Sequence, residues 1–163
     1  MGRWRPPAKR SSPYITPAGY AMLQNELDEI WPRRREVVKA LSEAAAEGDR
    51  SENAEYIYRK KELAGIDRRI RYLQKRLPEL KVVREQPRKD AVYFSARVTV
   101  EDGDGKTSQY RIVGADETDA QTGAISIDSP VARALLGKQI GDEIEVSIEN
   151  NSRTVVVESI DYD

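Results

Sequence analysis

The chain has 163 residues, room for one domain or two small ones, with 34% charged and 39% hydrophobic residues. It holds neither cysteine nor histidine, which excludes a disulfide framework, a thiolate or imidazole zinc site and the usual general base near neutral pH. Its net charge of −1 hides an asymmetry: residues 1–84 carry 19 Lys+Arg against 12 Asp+Glu, and residues 85–163 carry 8 against 16.

A basic half joined to an acidic half predicts two surfaces for different partners. Nucleic acid or an acidic channel suits the first, and a basic protein patch the second. Residues 1–15 read as a flexible basic tail, because Pro6, Pro7, Pro13 and the Ser11–Ser12 pair break any period. Arg3, Arg5, Lys9 and Arg10 are not followed by the apolar core of a secretory signal. No apolar run approaches the ~20 residues that span a bilayer. We expect a cytoplasmic monomer with no membrane partner.

Thr16–Pro17 predicts a helix start, Thr as N-cap and Pro at the first helical position. Tyr20, Leu23, Leu27, Ile30, Arg34, Val37, Leu41 and Ala44 then recur at steps of three and four, an a/d seam with one polar intruder. Pro32 should kink this helix, and Gly48 should end it. A second helix is expected from Asp49 or Ser51. Its seam is Tyr56, Arg59, Leu63, Ile66, Ile70, Leu73, Leu77 and Leu80, with fraying or a kink at Pro78. So short a connection makes the two helices antiparallel neighbours.

The hairpin tip is Gly48 to Tyr56, and it carries Asp49 and Glu52 three positions apart. That spacing is an acidic capping box, and both charges favour a helix N-terminus. It is equally a pair of carboxylates at the end of a rod of roughly 45 Å. Glu55 reads as a supporting charge or a solvated residue, and Tyr56 as a packing residue. Between Tyr56 and Arg84 ten basic residues stand against three acidic ones. The excess makes the second helix a plausible phosphate contact as well as a solvated face.

From Ala91 the period changes to two. Val92 to Val100 predicts a strand, Glu101–Gly105 a turn, and Tyr110–Val113 its return. A short strand at Ile125–Ile127, a helix at Ser129–Leu136 and strands at Ile144–Ile148 and Val155–Ile160 complete an α+β chain. It joins an N-terminal antiparallel helical hairpin (16–84) to a small antiparallel β domain with one short helix (85–163), through a linker containing Pro87.

The run Gly48-Asp-Arg-Ser-Glu-Asn-Ala-Glu-Tyr56, with Lys60–Lys61 and Ile66-Asp-Arg-Arg-Ile-Arg-Tyr-Leu73, resembles the bacterial Gre transcript-cleavage factors. So does Ile125-Ser-Ile-Asp-Ser-Pro-Val-Ala-Arg-Ala-Leu-Leu-Gly-Lys138, followed by Ile140-Gly-Asp142. The resemblance covers about residues 14–160 and implies an FKBP-like fold for the β domain. It implies a partner, bacterial RNA polymerase that has slid backward with the RNA 3′ end in its secondary channel. The hairpin would enter that channel. Asp49 and Glu52 would help hold a second Mg²⁺ and a water at the polymerase's own active site, with no cofactor held tightly by the factor alone. The polymerase would then cut its transcript and resume.

The resemblance assigns a basic patch on the hairpin to the extruded RNA, which we place on Arg59, Lys60, Lys61, Arg68 and Arg69. It assigns Asp128, Ser129 and Pro130 to docking on polymerase, although Asp128 or Ser129 also reads as a helix cap. The β domain has too few aromatics for a prolyl-isomerase pocket, so no isomerase activity is expected. Two alternatives stand beside this: a channel-binding inhibitor that does not stimulate cleavage, and a helical-hairpin adaptor unrelated to transcription.

Overall fold

The structure is a computed structural model that describes residues 8–48, 53–86 and 88–162. The chain divides into two compact units, Tyr20–Leu80 and Met1–Gly19 with Lys81–Asp163. Among the described residues no helix is long and apolar enough to cross a membrane.

The first unit is the expected hairpin. Helix α1 spans Pro17–Ala46. Its start is capped by Thr16, whose Oγ1 accepts from Gly19 N at 3.1 Å. It runs through Pro32 without ending, so the missing N–H costs one bond rather than the helix. Gly48 has φ of +139°, a backbone that side-chain-bearing residues rarely adopt. Helix α2 spans Ala54–Arg76. Pro78 sits in a 3₁₀ turn, Leu77–Glu79, that ends it.

Antiparallel pairing is written in the contacts. Glu26 meets Arg69, Arg34 meets Asp67, and Asn53 meets Ala44, so one number rises as the other falls. Val37, Ile66 and Ile70 form the buried seam, with Ile30 and Leu63 packed against it. Arg34, the polar intruder, reaches across to Asp67 at 2.7 Å. A buried charge costs several kcal/mol unless paired, and this one is only partly buried and has its partner.

In the second unit, residues 12–16 are not part of a free tail. Strand β1 (Tyr14–Ile15) pairs in parallel with β2 (Lys81–Val82). Ile15 is fully buried, and the Tyr14 ring lies 6.1 Å from that of Phe94. Two residues are too short for sequence periodicity to reveal, which is why this strand was not expected.

The five-stranded sheet runs in the order β5-β4-β3-β7-β6, with β3 Arg97–Asp102, β4 Thr107–Val113, β5 Ala124–Ser126, β6 Glu143–Ile148 and β7 Asn151–Asp161. Within this sheet β4 and β5 pair in parallel, and the other named pairs are antiparallel. Val98, Val100, Ile112, Ile144, Val146, Val155 and Val157 cover one face, and Ala132 and Leu135 of helix α3 (Pro130–Leu135) join them in the core. Each fully buried Val or Leu contributes ~1.5–3 kcal/mol.

The predicted strand at Val92 begins instead at Arg97. Ser95 has φ of +71°, which breaks the extended run. Val92, Phe94 and Ala96 are buried all the same. The alternation in the sequence came from a buried lead-in loop, which Tyr162 pins: its Oη accepts from Tyr93 N at 2.8 Å and donates to Ala91 O at 2.5 Å. Burial pushes the Tyr162 phenol above its usual range.

Candidate functional site

Asn53 stands at the start of α2. Its Oδ1 accepts from Tyr56 N at 3.1 Å, making it the N-cap of α2. Its Nδ2 donates to Ala44 O, in the last turn of α1, at 2.7 Å. The sequence pointed to Asp49 or Ser51 as the helix start, and that is corrected: α2 starts after Asn53. An amide can accept from one helix and donate to the other, which no carboxylate can do. The preference of Asn for N-caps was a usable signal, masked by two other good caps just upstream.

Asp49 and Glu52 lie outside the described residues. Glu55 is exposed and pairs with Arg59 at 2.8 Å. Tyr56 is half-buried at the head of the seam, as a packing residue would be.

The five basic residues singled out on α2 do not share one environment. Arg59 is half-buried and held by Glu55 and Glu62, at 2.8 and 3.0 Å. Arg69 makes a bidentate pair with Glu26, at 2.6 and 2.8 Å. That pair holds the Glu26 carboxyl below its usual range, chiefly through the hydrogen bond. Lys60, Lys61 and Arg68 are exposed. The acids of α2 are spent on arginines: Glu62 on Arg33 and Arg59, Asp67 on Arg34.

At the other candidate surface, Ser129 caps α3, its Oγ accepting from Ala132 N at 3.2 Å, and Pro130 is the first helical residue. Asp128 is not the cap. Both its oxygens are taken by Ser12, from the backbone N at 2.8 Å and from Oγ at 2.5 Å. These bonds, with the charges of Arg133 and Lys9, hold the Asp128 carboxyl below its usual range. Asp128 is therefore tied to Ser12, in the segment expected to be a free tail, while Pro130 is exposed. A Ser 116 positions away leaves no local signal.

Comparison with known proteins agrees with this two-part build. Residues 13–82 match the family described as Transcription elongation factor, N-terminal. Residues 86–162 match Transcription elongation factor, GreA/GreB, C-term. Fold and sequence together define a transcription elongation factor. Transcription elongation factor GreB of Xanthomonas axonopodis pv. citri is 59% identical over 165 residues, covering 99% of this chain and 98% of that protein. GreB of Pseudomonas aeruginosa is 54% identical, with the same coverage. The chain belongs to the GreA/GreB family. Among solved structures, GreA factor homolog 1 of Thermus thermophilus is 27% identical, covering 93% of this chain and 99% of that one at a TM-score of 0.42, too loose an overlay to transfer geometry.

Proposed function

We propose that the protein enters the secondary channel of backtracked bacterial RNA polymerase, in the cytoplasm, and stimulates the polymerase to cut its own RNA near the 3′ end. It is not an enzyme by itself. The observation that carries this reading is Asn53. Because Asn53 starts α2 and also closes the end of α1, helix capping does not account for Asp49 and Glu52. We assign their charge to another task.

That task suits a shared metal. Two carboxylates fall short of the six oxygens Mg²⁺ prefers. Among the described residues no cluster of acids is placed to complete a shell. Asp49 and Glu52 would hold the ion together with donors from polymerase, and the ion, when bound, supplies an acidified water and neutralises phosphate charge. The hairpin supplies reach, since 30 residues of α1 extend about 45 Å. The exposed cations of α2 favour RNA alongside it, and the loop 128–130 is the surface we assign to docking on polymerase.

The test is transcript cleavage by stalled polymerase complexes. Asp49→Asn and Glu52→Gln should bind as the unaltered protein does and stimulate cleavage at least about tenfold less, one lost transition-state interaction of ~1.4 kcal/mol or more. Near-normal cleavage by both variants overturns the reading. Binding without cleavage by the unaltered protein makes it an inhibitor, and no binding makes it an adaptor.

A further inference from the structure

Three acids of the β domain stand on the face of the sheet that α3 leaves open. Glu101 and Glu143 both lie opposite Val156, and Glu145 lies opposite Thr154. Strand alternation turns them away from Val100, Ile144 and Val155, which share their core with Ala132 and Leu135 of α3. Glu143 and Glu145 are exposed there. Acids on the open face say nothing of the charge beside α3.

The loop that opens α3 has cations around it. Ser12 donates to both oxygens of Asp128, from its backbone N at 2.8 Å and from Oγ at 2.5 Å. The chain just beyond is held as well: Lys81 N donates to Pro13 O at 2.8 Å, and β1 pairs with β2. Lys9 is three residues from Ser12, so its backbone lies at most about 11 Å from that anchor. Arg133 is the fourth residue of α3, its N donating to Ser129 O at 3.0 Å. Lys9, Arg10 and Arg133 are all exposed, and the charges of Lys9 and Arg133 both act on Asp128. Among the described residues no ion pair takes up any of the three. Asp128 offsets one of these charges and leaves the others.

We propose that Lys9, Arg10 and Arg133 form a cationic rim to the docking loop and meet an acidic protein surface of RNA polymerase. This rests on the functional reading above, and it reverses the basic partner that the composition of residues 85–163 suggested. A protein surface fits better than nucleic acid. The rim encloses a carboxylate, Asp128, that repels phosphates, and exposed Pro130, an apolar ring that a protein surface can cover. Charges at the rim of an interface act mainly on the rate and specificity of association. Because Ser12 fixes the segment that carries Lys9 and Arg10, less ordering remains to be done on binding.

The experiment uses full-length protein and reads its retention on polymerase across a salt series, with nucleic-acid-free enzyme and with stalled complexes. One variant pairs Lys9→Glu with Arg10→Glu, and a second is Arg133→Glu. The control pairs Lys106→Glu with Arg153→Glu. It makes the same charge change as the first variant at the other end of the sheet, because Lys106 precedes β4 and the docking loop follows β5, which runs parallel to β4. Both rim variants should weaken retention at least about fivefold at low salt on either form of polymerase, and the loss should fade as salt rises. The control pair should stay within about twofold. In the unaltered protein a carbodiimide, which condenses an amine with a carboxylate, should join Lys9 to an Asp or Glu of polymerase. Unchanged retention, equal loss from the control pair, or crosslinks from Lys9 to its own chain alone overturns the proposal and leaves the functional reading standing. Loss only on complexes that carry nucleic acid assigns the rim to nucleic acid and overturns it too. Unaltered protein that is not retained on polymerase overturns the functional reading, and this proposal with it.

Discussion

The side-chain amide of Asn53 donates to the carbonyl of Ala44 at 2.7 Å while its oxygen accepts from the amide of Tyr56. One residue therefore closes the end of α1 and opens α2. Asn53→Asp separates the two tasks: the carboxylate still caps α2 but cannot donate, and it sets a negative charge against the Ala44 oxygen. The hairpin should lose about 1–2 kcal/mol by urea unfolding, and Asn53→Ala, which also loses the cap, about 2 kcal/mol or more. Equal stability of Asn53→Asp and the unaltered protein would show that the bond to Ala44 contributes nothing.

The bonds from Ser12 to Asp128 predict a pH dependence. The Asp128 carboxyl titrates below its ordinary 3.8, first because Ser12 donates to it. A depressed carboxylate contributes stability that is fully present above the unfolded value and is lost as pH falls through the folded one. Ser12→Ala should therefore be less stable by about 1–2 kcal/mol near neutral pH, and the difference should close as pH drops below ~4. A difference that stays constant to pH 2 would mean the serine acts by packing alone.

What was legible follows from periodicity. The hairpin and the sheet repeat over enough residues to register in a sequence, and Thr16 and α3 are marked by a capping residue followed by proline. The misses are single contacts between distant residues or very short elements. Strand β1 is two residues long, and its neighbour Ser12 is fixed by a carboxylate far along the chain. The lead-in at Val92–Ala96 alternates like a strand because a buried loop can bury every second residue too. Of the candidate site, the acidic pair and the basic excess were readable by type. That Arg59 and Arg69 spend their charge on Glu55, Glu62 and Glu26 was not, because those pairs depend on which faces of the helices meet.

Glu117 gathers three donors: Thr16 N at 3.0 Å, Gly114 N at 2.7 Å, and the Thr16 hydroxyl. Donating to Glu117 leaves that hydroxyl free to accept from Gly19 N and cap α1. Glu117→Gln offers one acceptor oxygen where two served, and turns an NH₂, itself a donor, toward groups that donate to the carboxylate. It should cost about 2–4 kcal/mol. Amide exchange in the first turn of α1 is the specific readout, because a loss confined to the β domain would leave Gly19 protected.

Two glycine substitutions should move stability in opposite directions. Gly65 lies inside α2 with room for a methyl group, its nearest neighbour 3.7 Å away. Gly65→Ala removes a helix-interior glycine and should stabilise the hairpin by about 0.5–1 kcal/mol. Gly114 is buried, and an added Cβ would fall 2.2 Å from the Tyr14 carbonyl oxygen and 2.9 Å from Glu117 Oε2. The first neighbour is backbone and cannot swing aside, so β1 or the Glu117 hub must move. Gly114→Ala should lose about 3 kcal/mol and melt well below the unaltered protein, while Gly65→Ala melts above it. A Gly114→Ala variant as stable as the parent would mean that β1 is not held against Gly114 in solution.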